Sequence, residues 1–205
     1  MGNIILFQTE SIISFDNNHI GFVNPFKKRK KRAYLKELIK EVNAILEEPN
    51  FDKQYIMAHI LNKLRLITGA EYGFIGTVVY DENEKPTLYT RAVSNIAWNA
   101  SSLQFYKDHL TEPMVFNGMD TLFGTALTTG KSVIVNEYDT SRLVIPAGHP
   151  MIKRFIGVPF SFGEDKKPVC VAGLCNKLGK FDKLDSDNIR ELLNIVAYLF
   201  VNAGE

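Results

Sequence analysis

The spacing of apolar residues changes once, near position 70, and that change fixes the class of fold open to this chain. Before it, Leu35, Leu38, Ile39, Val42, Ile45 and Leu46 recur at i, i+3, i+4 and i+7, with Lys36, Glu37, Lys40 and Glu41 between them. That is one apolar stripe on a helix, expected to end near Pro49. A second helix is expected over 51–68, from Ile56, Ile60, Leu64 and Ile67, closed by Gly69. From Tyr72 the pattern becomes that of strands: 74–80 and 87–93 read as an antiparallel pair around the polar loop 81–86. Residues 101–110 and 120–129 are expected as short helices, the second closed by Gly130, and 132–135 as a strand. A connection over 137–154 carries two prolines and a glycine, and loops of this length inside a domain are usually functional. Strands are expected at 155–162 and 169–174. A last helix is expected from Asp185 as N-cap through Ile189, Leu192, Leu193, Val196, Leu199 and Phe200. The order ααββααβββα gives an α+β fold, a mainly antiparallel sheet of five to six strands flanked by helices.

Charge divides the 205 residues differently. Six of the 24 basic residues are consecutive, Lys27, Lys28, Arg29, Lys30, Lys31 and Arg32, leaving 18 basic against 23 acidic residues elsewhere. The net charge of +1 therefore hides a cationic run joined to a mildly acidic remainder. Such a run suits a nuclear-import signal, a nucleic-acid or anionic-membrane contact, or a solvated stretch leading into a helix. Ahead of it, short apolar runs around Asp16, Asn17 and Asn18 read as a hairpin that must dock to be stable. The chain divides into an N-terminal extension over 1–32 and a single domain over 33–205. Gly2 raises N-myristoylation, but Leu6 stands where that motif needs Ser or Thr. No apolar run approaches a membrane span, and the start lacks the pattern of a secretory signal. Two cysteines suit an intracellular, reducing compartment.

The common catalytic signatures are absent: no phosphate loop, G-x-S-x-G elbow, H-E-x-x-H or CxxC occurs. The four histidines stand far apart, none at metal-ligand spacing to another, so no metal site is expected. Cys170 and Cys175 are an odd offset apart on one expected strand, which puts them on opposite faces and argues against a bond. Both are expected as small buried hydrophobes.

The segments Pro146-Ala147-Gly148-His149-Pro150, Phe155-Ile156-Gly157-Val158-Pro159 and Gly173-Leu174-Cys175-Asn176 carry the most specific pattern. In that order they resemble the GAF domain family, particularly the GAF domains of sensor kinases, with Cys175 where the family usually has Ala. Gly124 to Val133 is similar to the family's short helix and the strand after it. The resemblance spans about 50–203 and implies the GAF, PAS-like fold. Asn176, Lys177, Phe181 and Asp185 resemble four of the five positions of an N-K…F…D-E motif in cyclic-nucleotide phosphodiesterases; Ser186 replaces its Glu. The local reading of these four is structural, with Lys177 pairing Asp185 and Phe181 plugging the core, a clasp that stabilises the fold whether or not anything is bound.

If a ligand is bound, the resemblance places it between one sheet face and the covering helices and loop. The implied contacts are Phe74, Trp98, Leu122, Phe123, Gly148 and His149, with a cyclic nucleotide one candidate and no cofactor named. Aromatic faces there could stack on a flat ring, and N–H groups near Gly124 could read its edge. With no catalytic domain expected after the last helix, the reading is a non-catalytic module acting by association, as a homodimer or on a protein partner. The alternative is a docking protein with a vestigial pocket that uses its extension and basic run. Some family members reduce free methionine sulfoxide with pocket cysteines; Cys170 and Cys175 fall outside the covering loops, so an enzyme is not expected.

Overall fold

The computed structural model describes residues 25–94, 112–137, 151–163 and 166–196, together with positions 103, 104, 107, 149 and 199. Its elements are α1 (Pro25–Leu46), α2 (Lys53–Thr68), β1 (Tyr72–Tyr80), β2 (Pro86–Val93), β3 (Val115–Phe116), α3 (Leu122–Thr129), β4 (Val133–Val135), β5 (Phe155–Phe160), β6 (Cys170–Cys175) and α4 (Lys183–Val196). The six strands form one sheet in the order β3-β2-β1-β6-β5-β4, with every neighbouring pair antiparallel. The α+β class and the sheet are as expected. The helix expected over 101–110 lies largely outside the described residues.

Local chemistry sets the ends of the helices. Asp52 caps α2, its carboxylate accepting from the Gln54 and Tyr55 N–H groups at 2.8 and 3.1 Å. Gly69, at φ 75°, ends the helix in the left-handed conformation that glycine adopts freely, its N–H on the Arg65 carbonyl at 2.7 Å. Helix α1 begins at Pro25, ten residues before the first residue of its apolar stripe, so the basic run is helical. Proline is pre-organised for the first helical position, and lysine and arginine are good helix formers.

The sheet separates two layers of side chains. On one face Ile75, Ala92, Ile156, Val158, Cys170, Ala172 and Leu174 pack against α1, α2 and α4, whose Leu35, Leu38, Val42, Ile56, Ile60, Leu64, Ile189 and Leu192 are buried. The other face carries Leu88 and Val171 beneath α3 and Leu127, and Tyr72, Phe155 and Cys175 beneath Leu122 and Phe123. A bulge between Ile75 and Gly76 explains how Leu88 and Ala92, an even offset apart, come to opposite faces. The extra residue, Arg91, shifts the side-chain alternation by one. As expected, the cysteines are buried, free and on opposite faces.

Replacing the α2 cap, Asp52→Ala, should lower unfolding free energy by about 1 kcal/mol in urea denaturation without changing the slope. An unchanged midpoint would contradict the cap.

Candidate functional site

The sheet face under α3 is where the sequence placed a ligand. Three of the six named residues meet there: Phe74 from β1, and Leu122 and Phe123 from the first turn of α3, all partly buried. Phe74 and Phe123 meet edge to face at 5.7 Å between ring centroids, and Phe116 of β3 joins Phe123 at 5.5 Å. Such geometry is favoured by the ring quadrupoles. Phe74 can lie flat on the sheet because Gly173 opposite it has no side chain; a Cβ there would collide with the ring. His149 is exposed, while Trp98 and Gly148 lie outside the described residues. Phe116 was missed because a two-residue edge strand is too short to leave a period in the sequence.

The first turn of α3 packs tightly on the loop that leads into it. Thr121 caps the helix, its hydroxyl accepting from the Gly124 N–H at 3.0 Å. Of the N–H groups near Gly124 that were expected to read a ligand's edge, Gly124's own is thus spent on the cap. A side chain at Gly124 would strike the Met119 carbonyl, so the position needs glycine for space.

The four motif residues form a clasp just after the C-terminal end of β6. Asn176 stands at φ 57°, a left-handed conformation that asparagine tolerates, and turns the chain out of the strand. Its side-chain oxygen accepts from the Lys153 N–H at 2.8 Å, and its amide donates to the Met151 carbonyl at 2.9 Å and to Glu71 Oε2 at 3.1 Å. One side chain thus ties the end of the 137–154 connection and the entry to β1 onto β6. Arg154 adds a bond from Nη1 to the Lys177 carbonyl at 3.3 Å. Lys177 pairs with Asp185, whose side chain is 1% exposed, and its Nζ lies 5.7 Å from the Phe181 ring centroid. Phe181 is buried and exchanges two bonds with Asn136: N–H to Oδ1 at 2.7 Å, and Nδ2 to its carbonyl at 2.9 Å.

Helix α4 starts at Lys183, so the N-cap is Asp182 and not Asp185. Asp182 Oδ1 accepts from the Asp185 N–H at 2.9 Å, and Asp185 Oδ2 accepts from the Asp182 N–H at 3.1 Å. This reciprocal pair is a capping box with Asp185 at its third position. The D-x-x-D spacing was legible in the sequence; the apolar stripe drew the start too far along.

Neither thiol is poised for chemistry. Burial pushes Cys175 up to about 12, and burial raises Cys170 as well. The Tyr72 hydroxyl is hydrogen-bonded with Cys175 and donates to the Met151 carbonyl at 3.2 Å. Cys175, on β6 and so outside the covering loops, lies on the ligand-side face, because its position shares that face with Val171 and Gly173. Among the described residues no group of His, Cys, Asp and Glu could hold a metal ion.

An antiparallel six-stranded sheet with α1, α2 and α4 on one face and α3 on the other defines a small α+β module. The profile described as GAF domain matches residues 52–201, and the chain belongs to that family. GAF membership makes it a module of the signalling or ligand-binding kind. No curated protein matches the sequence. Solved structures share the fold at low identity. The GAF domain of an Acinetobacter phosphoenolpyruvate-protein phosphotransferase is 14% identical, with 85% of this chain and 96% of that chain covered at a TM-score of 0.59. The A. aeolicus nlh2 GAF domain in an inactive state is 15% identical, with 85% and 99% covered at 0.55. The free methionine-R-sulfoxide reductase of Neisseria meningitidis in complex with its substrate is 17% identical, with 84% and 90% covered at 0.55.

Lys177→Met leaves the Asp185 carboxylate buried without its cation and should cost about 3 kcal/mol of stability. A Lys177→Met/Asp185→Asn double variant should recover part of that loss; equal urea midpoints for wild type and the single variant would rule the clasp out. A pH effect follows from the thiols. Unfolded cysteines lose their protons near pH ~8.5, while folded Cys175 keeps its proton to about 12. Between these values the folded state binds more protons, so stability falls as pH rises, by about 1.4 kcal/mol per pH unit for each thiol. Melting temperatures over pH 8–11 should decline less steeply in a Cys170→Ala/Cys175→Ala variant than in wild type.

Proposed function

We propose that this chain is a non-catalytic GAF module that holds a small molecule on the aromatic face formed by Phe74, Leu122 and Phe123, and signals by association. The observation that carries the non-catalytic reading is the state of the thiols. A cysteine nucleophile must be accessible and ionised. Cys175, the one on the ligand-side face, is 4% exposed and holds its proton to about 12. Likeness in fold to the Neisseria reductase therefore does not extend to an available nucleophile.

The ligand reading is supported by the rings. Phe74 lies over Gly173, half-buried Phe123 stands edge-on to it, and exposed Phe116 stands edge-on to Phe123 in turn. Exposed ring surface of this kind suits the stacking of a flat, largely apolar ring. Asn176, Lys177, Phe181 and Asp185 are engaged within the chain, so the resemblance to the phosphodiesterase motif lends no support to a cyclic nucleotide in particular.

Incubated with free methionine-R-sulfoxide and a dithiol reductant, the purified chain should give no turnover, and its two thiols should react with a chromogenic disulfide only after denaturation. Turnover that disappears in Cys175→Ser would overturn the non-catalytic reading.

A further inference from the structure

Residues 27–32 lie inside helix α1, which runs unbroken from Pro25 to Leu46. At 1.5 Å and 100° per residue, six consecutive helical positions rise over about 9 Å and are distributed around the whole axis. The run is therefore a short rod with cationic positions on all sides, and no apolar residue interrupts it. Where the side chains of this helix are described, from Arg32 on, Arg32, Ala33 and Tyr34 are exposed and burial begins at Leu35.

The rod also opposes its own helix. The first turn of α1 contains no acidic residue, and the cations stand at the positive end of the helix dipole. Within the run every i,i+3 and i,i+4 neighbour is another cation, Lys27 with Lys31 and Lys28 with Arg32 among them. The nearest acidic residue in the helix, Glu37, is bonded to Lys40 at 2.9 Å. Nothing in the local sequence offsets the repulsion, so a dense external anion would stabilise this helical end.

Two kinds of polyanion differ in the shape they offer. A bilayer surface reaches only one side of a rod, and a helix that lies in that surface needs an apolar face as well as a basic one. A nucleic-acid duplex has phosphates on both walls of a groove, spaced at about 1.7 Å per charge along its axis. Positions on all sides of the rod can then be used at once. We propose that residues 27–32 of α1 bind double-stranded nucleic acid through its phosphate backbone, without reading sequence. The site lies outside the aromatic face, and its occupancy is independent of any ligand there.

Fluorescence anisotropy of the full chain with labelled 20-base-pair DNA and RNA duplexes of unrelated sequence tests this, beside vesicles of phosphatidylcholine and phosphatidylserine. Binding to at least one duplex type is expected, with affinity falling about 10³-fold from 50 to 200 mM salt, as about six phosphate contacts require. Replacing all six residues by Gln should lower duplex affinity at least tenfold at 50 mM salt. Interchanging Lys and Arg at the six positions should retain it. Helical circular dichroism should rise on duplex addition in wild type and not in the Gln variant, whose melting temperature checks that the domain is folded. No duplex binding at 50 mM salt would overturn the proposal. So would unchanged affinity in a folded Gln variant, or binding to the vesicles as tight as to either duplex.

Discussion

The carboxylate of Asp185 is the constraint on which the rest of this fold depends. Buried at the start of α4, it must hold its charge against a low-polarity surrounding, and it does so with Lys177 and the Asp182 N–H. Those partners fix the short turn between β6 and α4. The turn in turn sets where α4 crosses the sheet and allows Phe181 to close the core. Asn176, one residue before Lys177, extends the same constraint to the end of the long connection and to the entry of β1. Removing one member of a buried pair costs far more than an exposed ion pair is worth, because the stranded charge keeps its desolvation cost. Four residues that resemble a ligand motif therefore serve as the join between three parts of the chain.

The sheet turns two different faces to its helices. One is an aliphatic core in which α1, α2 and α4 bury their stripes. The other is built from rings and glycines: Phe74 over Gly173, Phe155 against Gly157, and Ala126 of α3 close to that same glycine. Absent side chains on the strands let aromatic rings lie close to the backbone. On this face Cys175 is covered by Leu122 and Phe123 and stands beside Tyr72. Packing of this kind keeps a thiol inert while leaving ring surface partly exposed at Phe123 and Phe116.

Most of the architecture was legible because each element has its own period or punctuation. The stripes of α1 and α2, the Gly69 stop and the alternation of β1 and β2 are local signals, and local signals survive in a single sequence. The Lys177–Asp185 pair was legible too, since eight residues spanning one turn leave few other geometries. What escaped depends on distant partners or on very short elements. Phe116 joins the aromatic face only through the pairing of β3 with β2. Asn136 reaches Phe181 across 45 residues. Cys175 came to the ligand-side face through the alternation of β6, which the sequence showed, and its burial beneath Leu122, which it did not. The N-terminal start of α1 was set by Pro25 and by the helix propensity of lysine and arginine, not by any apolar stripe.

What this chain does turns on whether the aromatic face holds a molecule. Native mass spectrometry of the purified chain, beside a Phe123→Ala variant checked for folding, measures this directly. A noncovalent small-molecule mass on the wild type that is lost from the variant is the result expected of a ligand-holding GAF module. Wild-type protein that carries no added mass, before and after incubation with cell extract metabolites, would contradict it.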